Sequence, residues 1–438
     1  MNKLSLISSI AAIALSVPMS HAQSLFDFPG FSFQQNSREK EKDIYVDYGF
    51  DMQYYLNSRN FNSSSDYFMD TETLHLARVS PSIGVSVRQN KNAVHRLRLG
   101  VDLTKNLGEN PPGYEIYAKD ENDPALRNLK LFNEIFYFYN FEAETRTGLF
   151  DMYAGIYPRL VMEGDYSRAI LSEDIIMNDP NLEGLMMKYK SSRLKAEAGF
   201  DWMGNKGIDR FDRLMAFTAG NVSILNWLSA GWAGSYMHFG GSDIFLYDVH
   251  NAIFNPYVKF DFAEQTGIQE LSLKAGGLIS AQKDMDISEP LHTPVGAEGI
   301  LTVRNWNIGL ENTIFYGDNM MPFCSKSYAD EYDTGIYSGC LYTGETFYFT
   351  RRGFPSGYDR LELFYEPEIS SYMKLRFSGV GHLIFPESAV GTFLGWQAKV
   401  SLVFSLDKAR QPQKPVRRQA SSRNRGSQPR PGTPSIIL

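Results

Sequence analysis

The sequence WQAKVSLVFSL, residues 396–406, alternates apolar and polar side chains along its length. Successive side chains of a β-strand point to opposite sides, so this stretch predicts a strand with one apolar face and one polar face. The apolar face carries Trp396, Ala398, Val400, Leu402, Phe404 and Leu406, and the polar face carries Gln397, Lys399, Ser401 and Ser405. Such a strand suits a boundary between an apolar medium and a wet one.

About sixteen segments of the region 44–406 repeat this alternation, which is also clear in SIGVSVR, residues 82–88. The connections between successive segments are alternately short and long. Strands that close into a ring pair all their backbone groups without water, and alternating short turns and long loops are typical of rings that span an outer membrane. The sequence therefore predicts an all-β protein, a transmembrane antiparallel up-and-down β-barrel of about sixteen strands, with short periplasmic turns and long extracellular loops.

A soluble β-sandwich shares the period of two and is the alternative fold. The barrel is favoured because a sandwich has no reason to alternate its connection lengths, and because charged side chains lie on the polar face of nearly every predicted strand. Aromatic residues are 14% of the chain, with 25 Tyr and 30 Phe. This content suits rings placed at the two membrane interfaces.

The N-terminal residues 1–22 have the features of a secretory signal peptide. Lys3 supplies a positive start, an apolar stretch runs from Leu4 to Val17, and Ser20-His21-Ala22 is a small-x-small cleavage site. A retained membrane anchor is the alternative, although the apolar stretch is short for one. Residues 23–43 are expected to be a flexible periplasmic lead-in, and export predicts a location in the cell outer membrane.

The segment 407–438 is predicted to be a disordered basic C-terminal tail. It is rich in Gln, Pro, Ser and Arg, poor in apolar residues, and strongly basic in a chain whose formal net charge is −7. A solvated extension is the favoured role of such a segment. The alternative is a contact with an anionic periplasmic polymer.

Two cysteines, Cys324 and Cys340, lie in the longest connection. An exported chain meets an oxidising compartment, so we expect a disulfide between them. The alternatives are two free thiols or a metal-binding pair, but no cluster of histidines accompanies them, as a zinc site would require. The sequence therefore predicts no metal site and no cofactor.

In layout the chain resembles the Gram-negative outer-membrane porins. The resemblance covers the whole barrel region and depends on the pattern of strands and connections, not on a sequence motif. It implies a wet lumen and a third external loop that folds inward to narrow the pore. The matching connection, loop 159–181, carries the acidic residues Glu163, Asp165, Glu173, Asp174 and Asp179.

An inward-folded loop would bring these carboxylates opposite a basic wall of predicted pore-lining residues. The residues of that wall are Arg96, Arg98, Lys188, Lys190 and Lys195. Such a transverse field orients polar solutes and sets ion preference. The alternative is a loop on the surface with its charges solvated. One feature departs from the porin pattern. Porin chains commonly end at an aromatic residue that closes the last strand, whereas here the basic tail continues after Phe404.

Catalytic motifs are missing from the sequence, which has neither a Gly-x-Ser-x-Gly elbow nor a His-Glu-x-x-His helix. The histidines are scattered, and a hydrolase could assemble only from distant strands, for example from His238 and Asp243 at a loop rim. A lumen-lining or surface role is the favoured explanation of these histidines. We therefore predict that the protein is not an enzyme.

The favoured function is an outer-membrane channel for passive or weakly selective passage of small polar solutes. Charge of both signs at inward positions motivates it, because a sealed barrel would have little reason to hold such charge. The alternative is a surface-binding protein or adhesin that acts through its long, tyrosine-rich loops, and an outer-membrane hydrolase is less favoured. Expected partners are outer-membrane lipid and small solutes, with no nucleic acid. A homo-oligomer is left open.

Overall fold

The computed structural model describes residues 44–61, 71–90, 92–107, 132–204, 212–240, 248–285, 290–321, 343–348, 356–385 and 392–406. The predictions for the signal peptide 1–22, the lead-in 23–43, the tail 407–438 and the pair Cys324 and Cys340 concern residues outside these ranges. Among the described residues, no helix is long and apolar enough to cross a membrane.

Sixteen strands of the described chain form one closed antiparallel barrel. Each strand pairs with its neighbours in sequence, and the first strand pairs with the last to close the ring. The predicted fold class and strand number are therefore confirmed. The strands are β1 (Ile44–Phe61), β2 (Glu72–Asn90), β3 (Ala93–Asn106), β4 (Phe132–Glu144), β5 (Leu149–Pro158), β6 (Asn181–Lys190), β7 (Leu194–Gly204), β8 (Arg213–Leu225), β9 (Leu228–Phe239), β10 (Val249–Asp261), β11 (Glu270–Asp284), β12 (Val295–Asn305), β13 (Ile308–Gly317), β14 (Ser356–Tyr365), β15 (Met373–Phe385) and β16 (Thr392–Ser405).

The outer surface of the barrel is apolar, which is the reverse of a soluble domain. On β3, Leu97 and Leu99 point outward with exposed fractions of 63% and 55%, while Arg98 and Asp102 point inward and are buried. An apolar belt that surrounds the whole barrel is stable against lipid and not against water, so the barrel lies in the cell outer membrane. Other exposed apolar side chains of this surface are Ile83, Val85, Ile135, Tyr137, Phe200, Trp202, Phe254, Ile279, Ile314 and Leu363.

The connections alternate in length around most of the ring. One of the two-residue turns is Trp306-Asn307 between β12 and β13, where both residues have positive φ, 52° and 66°, as a turn matched to the strand twist requires. The alternation ends at the last two connections, because the turn 366–372 is slightly longer than the loop 386–391. The short turns lie at the end of the barrel where β1 begins and β16 ends, which outer-membrane barrels place in the periplasm.

The interior of the barrel is partly filled by apolar side chains, whereas the porin resemblance implied a wet lumen. One buried cluster lies between β4–β8 and the start of loop 159–181, and a second lies between the far wall and inward segments of two loops. The first contains Phe136, Phe138, Tyr153, Tyr157, Val161, Leu182, Met186, Met215 and Phe217. The second includes Phe61, Ala169, Ile170, Ile253, Leu278, Phe315, Met320, Met321, Phe347, Tyr348, Tyr358 and Ile384.

Candidate functional site

Loop 159–181 lies inside the barrel and not on its surface. It begins with the 3-10 turn Arg159–Val161 and contains one short helix, α1 (Glu173–Asn178). Ser172 begins this helix, and its Oγ accepts a hydrogen bond from the backbone N–H of Ile175 at 3.2 Å. The side chains of the loop bind inward-pointing residues of strands on both sides of the ring, so the loop crosses the lumen.

The base of the loop is held by Arg159, which is only 2% exposed. Its Nη2 donates at 2.8 Å to Asp179 Oδ2 at the far end of the loop and at 2.8 Å to Asp201 Oδ2 on β7. Its Nε donates to the backbone carbonyl of Asp179, also at 2.8 Å. One guanidinium therefore ties both ends of the loop to the barrel wall.

The first half of the loop presents two carboxylates to lysines of the wall. Glu163 Oε1 lies 3.1 Å from Lys188 Nζ, and Asp165 Oδ1 lies 2.9 Å from Lys274 Nζ. Burial alone would raise the pKa of Glu163 and of Asp165. The neighbouring lysines outweigh burial and hold both pKa values below the usual range of carboxylates. Both acids are therefore charged at neutral pH.

The second half of the loop binds the opposite side of the ring. Glu173 lies 2.8 Å from Lys399 Nζ on β16, and Asp174 lies 2.7 Å from Arg59 Nη1 on β1. Burial opposes the charge of Glu173, but Lys399 and the loop's own Arg168 hold its pKa well below its ordinary value. Helix α1 is therefore fixed to the seam where the ring closes.

Arg168, near the middle of the loop, joins it to a second inward segment, residues 343–348. Its Nη1 donates to Glu345 Oε1 at 2.8 Å and to Glu173 Oε1 at 3.0 Å, and its Nη2 donates to Glu311 Oε1 on β13 at 3.3 Å. Thr343 Oγ1 also donates to the carbonyl of Ile170 at 2.6 Å. The two loops therefore brace each other inside the barrel.

Two buried glutamates of the wall accept hydrogen bonds from the loops. Glu197 on β7 accepts from the Tyr166 hydroxyl at 2.9 Å, and Glu298 on β12 accepts from Ser167 Oγ at 2.9 Å and from the Tyr348 hydroxyl at 2.5 Å. Burial and the adjacent carboxylates raise the pKa of both tyrosines, so the hydroxyls remain protonated donors.

A cavity of about 890 Å³ lies between the first half of the loop and the wall, on the side of the short turns. Glu163 and Asp165 line its loop side. Its wall side includes Arg96, Asp151, Lys188, Lys190, Lys195, Tyr257 and Lys259. The cavity therefore contains charges of both signs and lies next to the short turns.

The predicted basic wall is only partly opposite the predicted acidic loop. Lys188 and Lys190 lie 3.1 Å and 3.8 Å from Glu163, and Lys195 and Arg96 line the same cavity without contacting the loop acids. Arg98 is buried beside Asp47, at 2.8 Å. The four other loop acids meet different partners.

Most of the partners of these four acids were not predicted from the sequence. They are Lys259 and Lys274 for Asp165, Lys399 for Glu173, Arg59 for Asp174, and Arg159 for Asp179. The alternation places Lys274 and Lys399 on inward faces, which is a usable signal. It does not show which inward residue meets which loop acid, because that depends on the path of the loop.

Removing the Arg159 guanidinium should loosen the loop and destabilise the barrel. The Arg159→Ala change leaves the Asp201 carboxylate, 2% exposed, without its cationic partner, and breaking a buried pair in this way costs about 3–5 kcal/mol. The measurement is urea unfolding in lipid vesicles. The double variant Arg159→Ala/Asp201→Asn removes the stranded charge and should recover part of the loss, whereas equal losses in both variants would contradict this account.

The loop should remain docked until the pH falls below the ordinary carboxylate range. The depressed pKa values of Glu163, Asp165 and Glu173 mean that their ion pairs stabilise the folded loop above about pH 4 and are lost as the pH falls through the folded pKa values. Pepsin cleavage within 159–181, normalised to an unstructured substrate and mapped by mass spectrometry, reports loop release. Glu173→Gln should allow cleavage at higher pH, and release of the unchanged loop at pH 5 would refute the prediction.

No protein-family model and no curated protein matches this chain. Similar solved structures include outer-membrane expressed OmpT of Vibrio cholerae, with 10% identity over 84% of this chain and 99% of that chain and a TM-score of 0.46. OpdO of Pseudomonas aeruginosa has 10% identity over 82% and 97% of the two chains and a TM-score of 0.41. The strand pairing and the apolar exterior of this chain show a sixteen-stranded outer-membrane β-barrel.

Proposed function

We propose that the barrel is an outer-membrane channel for the passive, weakly selective passage of small polar solutes. The observation that carries the proposal is the charged cavity of about 890 Å³ between loop 159–181 and the wall. Buried charges are costly compared with apolar packing of the same volume. A barrel that served only as an anchor for surface loops would gain nothing from a wet, charged chamber below them.

The charged groups inside the barrel divide into structural and solute-facing sets. The Arg360 and Glu362 side chains are each 1% exposed and pair at 2.7 Å, so they are sealed from solutes. The Glu163 side chain is 50% exposed, and that of Lys190 is 33% exposed. These wet groups are therefore the ones that a passing solute would contact.

Opposed charges across the cavity supply a mechanism for the proposed passage. Glu163 and Asp165 on the loop face Lys188, Lys190 and Lys259 on the wall, so the field points across the path of a solute. A polar molecule would orient its dipole in this field while it exchanges some of its hydration for protein contacts. Because both signs are present, the arrangement supports weak and not strong ion selectivity.

The purified protein should raise the conductance of planar bilayers, and Glu163→Gln should shift its ion preference toward anions. Removing this carboxylate takes one negative charge away from the cavity, where it faces Lys188 and Lys190. The expected change in the permeability ratio is up to about fivefold, the factor that corresponds to a Coulomb energy of about 1 kcal/mol in water. The measurement is the reversal potential in a KCl gradient.

The matched control is Glu264→Gln, which removes the same charge from an exposed periplasmic turn outside the cavity. It should leave the reversal potential unchanged. An equal shift in both variants would show that the cavity does not set selectivity. A flat current trace from protein that is verified as folded would reject the channel itself.

The surface-binding alternative depends on the part of the long loop that contains Cys324 and Cys340. These residues, 322–342, lie outside the described part of the chain, and the alternative stays a prediction. Trimming residues 322–342 separates the two functions. A channel should retain conductance after trimming, whereas an adhesin should lose its binding to host or ligand surfaces.

A further inference from the structure

We propose that His238, Asp248 and His250 form a binding site for a divalent transition-metal ion, such as Zn²⁺, on the outer face of the barrel. The sequence alone predicted no metal site, and it suggested only Asp243, which lies outside the described residues, as a partner of His238. The site is separate from the charged cavity and adds to the proposed channel function.

The antiparallel register of β9 and β10 brings the two histidines together. His238, one residue before the end of β9, is directly opposite His250, one residue after the start of β10. Their neighbours Met237 and Val249 are buried inside the barrel, while Tyr236 is 40% exposed on the outer surface. Both imidazoles therefore lie on the outer face, at the rim next to the extracellular loops.

The distances between the three side chains fit a single small cation. Asp248 Oδ1 lies 2.9 Å from His250 Nε2 and 3.5 Å from His238 Nδ1. One ligand atom from each residue lies within 4.8 Å of the other two. Neighbouring ligands of a tetrahedral zinc ion with bonds of about 2.0–2.1 Å are about 3.3 Å apart. The two distances from Asp248 Oδ1 to the histidine nitrogens are already close to this value.

Asp248 Oδ1 is buried and accepts no hydrogen bond from the described residues, although His250 Nε2 lies only 2.9 Å away. The ring N–H is therefore not directed at this oxygen. A buried carboxylate oxygen without a donor is costly. A cation held jointly by Oδ1 and Nε2 would remove this cost, which points to a ligand and not to an ordinary ion pair.

The imidazole of His250 has a hydroxyl behind it that can fix the ring nitrogen used for binding, whereas the carboxylate behind His238 lies beyond hydrogen-bond distance. The Tyr236 hydroxyl lies 2.5 Å from Nδ1 of His250, and Asp212 Oδ2 lies 3.9 Å from Nε2 of His238. Metal-bound histidines usually donate their second ring N–H to such a group. With Nδ1–H of His250 donated to Tyr236, Nε2 carries a lone pair that can bind a cation.

The donor set determines the class of metal. Two imidazoles and one carboxylate suit zinc, cobalt, nickel and copper, whereas magnesium and calcium prefer oxygen ligands. Three protein ligands leave one position of a tetrahedral ion open to water or to a group in the surrounding headgroup layer. The site would link β9 to β10 at the base of the extracellular loop between them.

The test is a Zn²⁺ titration of the folded, untagged full chain after treatment with a chelator. Calorimetry should show one equivalent bound per chain, and Co²⁺ should give the visible absorption of a tetrahedral ion. His238→Ala and Asp248→Asn should each weaken binding by at least about tenfold. Heat-dependent mobility on gels verifies that each variant is folded.

The matched control is His75→Ala. His75 lies on the outer face of β2, and its Nε2 lies 2.8 Å from the Tyr54 hydroxyl, but no carboxylate of the described residues contacts it. This variant should bind Zn²⁺ like the unchanged chain. All titrations are repeated with Cys324 and Cys340 replaced by serine. A chain that binds no Zn²⁺ in this background, or whose His238→Ala variant binds as tightly, would overturn the proposal.

Discussion

The pairing of β1 with β16 is the constraint on which the rest of the structure depends. It runs from Asp51 opposite Ser405 to Phe61 opposite Gly395, and it leaves the sheet without an edge. In lipid an open edge would expose backbone donors and acceptors that have no water to bind. Closure also creates the interior, because it turns one face of every strand away from lipid and toward the other inward faces.

The enclosed interior explains the number of charges that the loops carry. A loop that enters a confined space loses hydration, so its charged groups must find partners there. Loop 159–181 meets this requirement by binding cations of β1, β6, β11 and β16, while its own Arg168 binds glutamates of the wall and of segment 343–348. Of these contacts, the one between Glu163 and Lys188 both holds the loop and gives the remaining cavity part of its charge, whereas Arg59 and Lys399 hold the loop outside the cavity.

The period of two and the alternating connections were sufficient to predict the ring and its strand number, because lipid outside and protein inside impose that period directly. These two patterns did not predict that apolar side chains fill part of the interior, because some strands are apolar on both faces. In β4 the inward Phe136 and Phe138 and the outward Ile135 and Tyr137 are all large, so the sequence contains no sign that the interior is filled there.

Contacts between distant residues could not be predicted from local patterns. Glu173 and Lys399 are 226 residues apart in sequence and meet only because the ring is closed. The inward path of loop 159–181 was suggested by the porin resemblance, whereas its partners depend on register. His238 and His250 likewise become neighbours only through the β9–β10 pairing.

Ring closure can be measured directly by cross-linking across the β1–β16 seam. Ser58 and Ala398 are opposite each other on the outer face, so cysteines at both positions, in a chain without its natural cysteines, should form a disulfide in isolated outer membranes. Gly379 on β15 lies on the same face one strand further away, and Ser58→Cys with Gly379→Cys should not cross-link. A failure of the first pair, or equal cross-linking of both, would contradict the closed barrel.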